Sequence, residues 1–295
     1  MHVLNTLYQL FLSERTKKSF EKTILYIALI SFFIHLVLIF LTRYELIHFL
    51  SKSDLIKNPI SAIYTPFSFI IIYEVYLLIY YLPKSFTNYI TKQYEIITLI
   101  VIRKLFKDLA LIELSTEWFD IKGDLQFTYD ILSSIVLFYL IFQFQKQGSR
   151  IETNKAKLTP KVTQFINRKK IIAVVLVPLF FIMAAMTLFN WVTEISWTAN
   201  ELPSLERINN LFFDEFFTVL ILVDVILLLI SFFYTDQFHK IIRNSGFVVS
   251  TILIRLSFGT SGLISTILIV TAVLFGLIII LIHNQYEKNR LVQQE

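Results

Sequence analysis

The sequence predicts an all-α, polytopic integral membrane protein with about eight transmembrane helices, arranged as two parallel four-helix repeats. Of the 295 residues, 56% are hydrophobic and 17% are charged, and the mean hydropathy is +0.66, which is more apolar than the core of a soluble protein requires. Several apolar runs reach the roughly 20 residues that a helix needs to cross the hydrocarbon layer of a bilayer. Similar segments also recur at nearly one spacing along the chain.

The N-terminal segment, 1–22, is predicted to form an amphipathic helix. Leu4, Leu7, Tyr8 and Phe11 recur at the spacing of one helix face, which is typical of helices that lie on a membrane surface. Several basic residues follow them, and an excess of basic residues favours the cytoplasmic side.

The rest of the chain is dominated by apolar runs that we interpret as spans. Six are clear, each consisting mainly of Leu, Ile, Val and Phe: 23–41, 63–82, 127–144, 171–191, 216–233 and 263–282. Two others, 94–114 and 246–262, each carry an arginine within the run. These two runs either cross the membrane or lie in its interface.

Loop charges favour the first alternative, because cytoplasmic loops carry an excess of Lys and Arg. The connection 146–170 contains eight Lys or Arg residues and one acid, whereas 192–215 contains five acids and one base. We therefore place the first inside and the second outside. Both ambiguous runs must then cross, which gives eight spans with both termini cytoplasmic, in the cytoplasmic (inner) membrane. A six-span chain would leave one charge-biased loop on the wrong side.

This topology divides the chain into five parts. They are an amphipathic cytoplasmic N-terminal segment (1–22), a first four-helix membrane repeat (23–144), a basic cytoplasmic linker (145–170), a second four-helix membrane repeat (171–282) and a cytoplasmic tail (283–295).

Three matches in the same order indicate the repeat. Residues 74–79 (EVYLLI) resemble 224–229 (DVILLL) 150 positions later, and 100–106 (IVIRKLF) resemble 252–258 (ILIRLSF) 152 positions later. A third match, 148 positions apart, joins the basic start and FFI triplet of the first span to those of the fifth. Because four spans are an even number, both halves have one orientation, as in a parallel repeat.

Charged residues within the predicted spans are the candidate functional residues, since a charge at mid-depth costs at least a few kcal/mol and usually has a partner. Counting from the cytoplasmic helix ends places Glu74 and Arg103 about 12 and 13 Å deep, and Asp224 and Arg255 about 13 Å deep. We therefore predict the pairs Glu74–Arg103 and Asp224–Arg255. Each pair either fixes helix register or lies on a path for ions or protons.

The first half carries charges that the second lacks. Lys107 and Asp108 align with Gly259 and Thr260, and Asp130 on the next span could reach Lys107. This arrangement predicts a polar cavity that is open to the outside. Alternatively, the side chains of Lys104 and Lys107 only extend toward the membrane interface. The full set of candidate pathway residues is Glu74, Arg103, Lys107, Asp108, Asp130, Asp224 and Arg255.

The sequence favours transport over catalysis. It contains no phosphate-binding glycine loop, no HExxH or GxSxG motif and no cysteine, so we expect no enzyme, cofactor or metal site. The leading hypothesis is a transporter or channel for a small ion or solute, and the alternative is a non-transporting scaffold or accessory subunit. We expect contacts with the lipid bilayer, with anionic lipids at the basic linker and with the ion or solute, but not with nucleic acid; homo-oligomerisation is left open.

Overall fold

The computed structural model describes residues 2–44, 62–109, 122–152, 160–197, 205–260 and 262–292. Within these ranges the chain is helical apart from short connections, so the all-α fold class is confirmed there. Its helices are α1 (His2–Leu12), α2 (Glu14–Arg43), α3 (Tyr64–Tyr81), α4 (Phe86–Leu109), α5 (Lys122–Glu152), α6 (Pro160–Trp197), α7 (Leu205–Phe232), α8 (Phe238–Phe258) and α9 (Leu263–Val292).

The N-terminal region contains a helix break at Ser13. This residue has an extended backbone, and its hydroxyl accepts a hydrogen bond from the Thr16 N–H at 3.1 Å, as an N-cap does. From Glu14, α2 continues without interruption to Arg43. Residues 14–22 therefore belong to the same helix as the first predicted span.

Six helical stretches of the described chain are long and apolar enough to cross a membrane. They are Leu4–Arg43, Leu125–Ser149, Pro160–Thr187, Glu215–Phe232, Phe238–Phe258 and Leu263–Arg290. Six of the eight predicted spans overlap them, including the ambiguous run 246–262. The apolar part of α3 is shorter, and charged residues interrupt α4. The helices thus fit a multi-pass membrane protein, and the count of eight spans is not confirmed.

Large apolar side chains cover the outer faces of these stretches. Phe138 on α5 is 74% exposed, and Ile264 on α9 is 63% exposed. Exposed apolar surface on this scale is unusual for a soluble monomer. It is compatible with contact to lipid.

The chain forms two compact units, each assembled from separate stretches of sequence. The first consists of Met1–Tyr80, Arg103–Trp118 and Val174–Phe216, and the second of Tyr81–Ile102, Phe119–Ala173 and Phe217–Glu295. Each unit includes residues from both predicted halves. The compact units therefore do not follow the predicted halves, and the repeat is not confirmed.

In the first unit, tyrosines of α3 bind the N-terminal helices. Tyr73 Oη donates to Glu21 Oε2 at 2.9 Å, and Tyr76 Oη donates to the Phe11 carbonyl at 2.8 Å. Residues three apart lie on one helix face, so both hydroxyls point the same way. The ring of Phe20 packs on that of Tyr76, with centroids 4.9 Å apart. These contacts hold α3 against α1 and α2.

In the second unit, a tight turn joins α8 to α9. α8 ends at Phe258 and α9 begins at Leu263. Gly262 in this turn has a φ of +71°, a conformation that glycine adopts without the steric cost of a Cβ atom.

The core of the second unit joins α4, α8 and α9 through one buried tyrosine. Tyr94 Oη lies 2.7 Å from Ser250 Oγ, which itself donates to the Ala272 carbonyl at 2.6 Å. Because that donation uses the only hydroxyl proton of Ser250, Tyr94 must be the donor to Ser250. A Cβ atom on Gly276 would lie only 1.8 Å from Tyr94 Oη. Glycine at this position therefore allows α4 and α9 to approach closely.

Candidate functional site

The predicted ion pair between Glu74 and Arg103 is present in the first unit. Arg103 Nη2 lies 2.8 Å from Glu74 Oε2, and the two side chains are 7% and 4% exposed, respectively. Arg103 Nη1 also donates to the carbonyl of Phe67 at 3.2 Å. The Phe67 ring stacks on Phe106 with centroids 5.4 Å apart. The pairing is confirmed, and a role for it in an ion path remains a prediction.

The sequence count did not give the position of Arg103 along its helix correctly. α4 begins at Phe86, eight residues before the predicted start, so Arg103 lies about 12 Å farther along its helix than the sequence count placed it. The pair forms all the same, and the forked N–H groups of Arg103 bind the Phe67 carbonyl and the Glu74 carboxylate together.

In the second unit, Asp224 places a buried carboxylate within the apolar helix α7, with 1% of the residue exposed. Tyr89 Oη donates to its Oδ1 at 2.8 Å, and Gln93 Nε2 donates to its Oδ2 at 3.1 Å. Tyr89 and Gln93 are four residues apart on α4 and so share a helix face. The side chain of Thr251 lies beside the same carboxylate. Both oxygens of Asp224 therefore accept hydrogen bonds from neutral donors.

The predicted pair between Asp224 and Arg255 is not the arrangement found at this carboxylate. Among the described residues, the direct partners of Asp224 are the neutral side chains from α4 and α8. Counting along a helix gives the height of a residue but not the face on which it lies. α8 also begins eight residues earlier than predicted, at Phe238. Thr251, one turn before Arg255, is the α8 residue that lies beside the Asp224 carboxylate.

A small cavity in the second unit adjoins Asp224, and it is about the size that holds one water molecule. Its polar wall comes from Asp224, Gln93 and Thr251, and its other walls are apolar. The apolar lining residues are Ile97, Phe217, Leu220, Ile221 and Ile254. A water, a proton or a small cation in this space would meet a carboxylate with otherwise neutral contacts.

Lys169 is a buried cation in the region that the sequence assigned to a solvated linker. It is 2% exposed, its Nζ donates to the Lys84 carbonyl at 2.6 Å, and this ammonium lies 5.3 Å from the centroid of the Phe86 ring. The charge of Lys169 also interacts with that of Asp224. The second unit therefore has a positive charge within electrostatic range of its buried carboxylate, without a direct ion pair between them.

Asp130 is a further buried acid of the second unit, on α5, and is 3% exposed. Its Oδ1 accepts hydrogen bonds from Gln126 Nε2 at 2.8 Å and from Thr266 Oγ1 at 2.9 Å. Because Thr266 belongs to α9, Asp130 links α5 to α9. The predicted contact between Asp130 and Lys107 stays a prediction, since the side chains of Lys107 and Asp108 lie outside the described residues.

Sequence reasoning missed the two neutral donors to Asp224. Tyr89 and Gln93 lie between the predicted spans 63–82 and 94–114, in a segment that we interpreted as a connection. The structure instead begins α4 at Phe86. The spacing of four residues between Tyr89 and Gln93 is the signal that could have identified a shared polar face.

Glu74 and Asp224 differ in what their carboxylates can do. Glu74 has a direct cationic partner, whereas the oxygens of Asp224 accept from neutral groups beside a cavity. A carboxylate in the second setting can take up a proton or bind a small cation, since either would offset its buried charge.

No protein-family model matches the chain, and neither a curated protein nor a solved structure is significantly similar to it.

Proposed function

We propose that this protein is an integral membrane transporter or channel for protons or a small cation, and that Asp224 binds the ion. The observation that carries the proposal is a carboxylate, 1% exposed, whose direct partners among the described residues are neutral and which borders a small cavity. A bare charge within the hydrocarbon layer costs at least a few kcal/mol. Binding a proton or cation removes that cost, so Asp224 has a physical reason to bind one.

Tyr89 and Gln93 are proposed to position the carboxylate. Each fixes one oxygen of Asp224 from the same face of α4, which leaves the remaining lone pairs for an ion or a water molecule. Lys169 would act at longer range, because its positive charge stabilises the ionised carboxylate once the ion has left. Glu74 and Arg103 are proposed to be structural, since each is the other's direct partner. No catalytic chemistry is part of this proposal.

Flux into proteoliposomes tests the role of Asp224. We expect the purified protein to dissipate a gradient of H⁺, Na⁺ or K⁺, and Asp224→Asn to reduce that flux to the level of empty liposomes, because the amide can neither lose a proton nor supply a negative charge. Glu215→Gln is the matched control, since this acid is exposed and lies on the same helix; its flux should be unchanged. Full flux through Asp224→Asn, or none through the unaltered protein, would contradict the proposal.

The alternative function is a non-transporting scaffold or accessory subunit. One observation favours it: the cavity beside Asp224 holds only about one water molecule. Under this alternative, Asp224→Asn changes thermal stability while no ion gradient is dissipated by any variant. The flux and stability measurements together therefore separate the two functions.

We also propose the finer topology: eight spans in two parallel repeats, with both termini in the cytoplasm, in the cytoplasmic membrane. Loop charge supports it, since 146–170 is strongly basic and 192–215 is acidic. The apolar helix α3 and the longer α4 supply the two additional spans. In this topology, 83–92 and 115–126 lie on opposite sides of the membrane.

Single-cysteine labelling tests this topology directly, because the chain has no cysteine of its own. In intact cells, a membrane-impermeant thiol reagent should label Asp120→Cys but not Ser85→Cys or Lys157→Cys. After the membrane is permeabilised, all three should react. Labelling of both Ser85→Cys and Asp120→Cys from one side would show that α4 does not cross.

A further inference from the structure

A second group of charged side chains lies on α8 and α9 in the second unit, separate from the contacts of Asp224. Its members come from the first turns of α8 and the last turns of α9. We call it the α8–α9 cluster, and it consists of His239, Lys240, Arg243, His283, Glu287 and Arg290.

The cluster has more positive than negative charge. Glu287 is its single acid, and both of its oxygens are already in use: His239 Nε2 lies 2.7 Å from Oε1, and Arg290 Nη2 lies 3.4 Å from Oε2. Arg243 directs its guanidinium to Asn244 Oδ1 at 3.0 and 3.2 Å and to His283. Among the described residues, Lys240 and Arg243 interact with the charge of Glu287 at longer range and form no direct ion pair with it.

The contact between Arg243 and His283 determines which ring nitrogen of His283 carries the proton. Arg243 Nη1 lies 3.1 Å from His283 Nε2. Arginine can only donate, so His283 Nε2 must accept, and the neutral imidazole must then carry its proton on Nδ1. That Nδ1 is buried, and the imidazole also interacts with the backbone of His239 on α8. His283 therefore links α9 to α8 within the cluster.

Two donors of the cluster are unused within the described residues. Arg290 Nε is buried without a hydrogen-bond partner, and the ammonium of Lys240 makes no hydrogen bond or ion pair within the described residues. Lys240 is close enough to interact electrostatically with Arg243, Glu287 and Arg290. Arg290 and Lys240 thus supply charged hydrogen-bond donors in a region with surplus positive charge, which is the chemistry that recognises an anion.

We propose that the α8–α9 cluster binds the phosphate group of an anionic ligand. Arginine and lysine together favour phosphate, which accepts several charged hydrogen bonds at once. The location supports this class of ligand, because Arg290 is the last residue of a stretch long and apolar enough to cross a membrane, and phospholipid phosphates lie where such stretches end. A lipid headgroup and a free phosphate compound share this chemistry.

Binding measurements on the purified protein distinguish these two sources. One arm titrates inorganic phosphate into the detergent-solubilised full chain by calorimetry, with chloride at equal ionic strength as the reference. The other reconstitutes the chain in nanodiscs of phosphatidylcholine with and without phosphatidylglycerol and counts retained anionic lipid by native mass spectrometry. Binding in either arm supports the site, and the arm that responds identifies the source.

Lys240→Gln should weaken that binding about tenfold, as expected for the loss of one charged hydrogen bond, and Arg290→Gln should also weaken it. Lys288→Gln is the matched control, because Lys288 is exposed and neighbours Glu287 on α9; binding should be unchanged. The proposal is overturned if phosphate binds no better than chloride and phosphatidylglycerol no better than phosphatidylcholine. It is also overturned if Lys288→Gln weakens binding as much as Lys240→Gln does.

Discussion

Replacing Gly276 with alanine is expected to destabilise the second unit by about 3 kcal/mol, at the upper end of overpacking costs. The new Cβ would lie 1.8 Å from Tyr94 Oη and 2.9 Å from its Cζ. Tyr94 cannot easily give way, since its hydroxyl is bound to Ser250 and its ring packs edge-on against Phe144, with centroids 5.0 Å apart. The melting temperature in detergent, determined by size-exclusion chromatography of heated samples, should be lower than that of the unaltered chain.

Gly259→Ala is the control for this substitution. Gly259 has a φ of −80°, and the nearest atom to its added Cβ would be the Leu256 carbonyl oxygen at 3.6 Å, so its melting temperature should stay near that of the unaltered chain. Adding Tyr94→Phe to Gly276→Ala should restore part of the stability, because it removes the atom at 1.8 Å and leaves the one at 2.9 Å. Equal stability of Gly276→Ala and the unaltered chain would show that α4 and α9 are not packed this closely.

Much of the helix pattern could be predicted because long apolar runs have few other structures available in a bilayer. Helix starts were less predictable: α4 and α8 each begin eight residues before the apolar run that indicated them. In both cases the extra turns mix polar with apolar residues, and mean hydropathy does not distinguish such a helical turn from a loop.

The candidate site shows where sequence reasoning stops. Glu74 and Arg103 could be paired because consecutive helices carried opposite charges at mid-span. The same reasoning did not give the partners of Asp224, because its face of α7 meets α4, which is distant in sequence, and because the donors Tyr89 and Gln93 are neutral. Lys169 was placed in solvent because its neighbours in sequence are basic, and charge counts over a loop contain no information on the direction of one side chain.

Glu74→Gln is expected to lower the stability of the first unit by about 3 to 5 kcal/mol, because it leaves the guanidinium of Arg103 buried without its counter-charge. Arg103→Met should cost a similar amount, since it strands the carboxylate of Glu74. Both effects should appear as lower melting temperatures in detergent. Lys18→Met is the control, because this exposed lysine on α2 should change stability by less than about 0.5 kcal/mol.

The double variant Glu74→Met, Arg103→Met separates a structural pair from a conducting one. With both charges gone, no buried ion remains unpaired, so the double variant should be more stable than either single variant, giving a coupling energy of at least about 1 kcal/mol. If the pair is structural, the double variant should also retain ion flux, while Asp224→Asn does not. Loss of flux in a stable double variant would instead place Glu74 and Arg103 on the ion path and shift the binding role away from Asp224 alone.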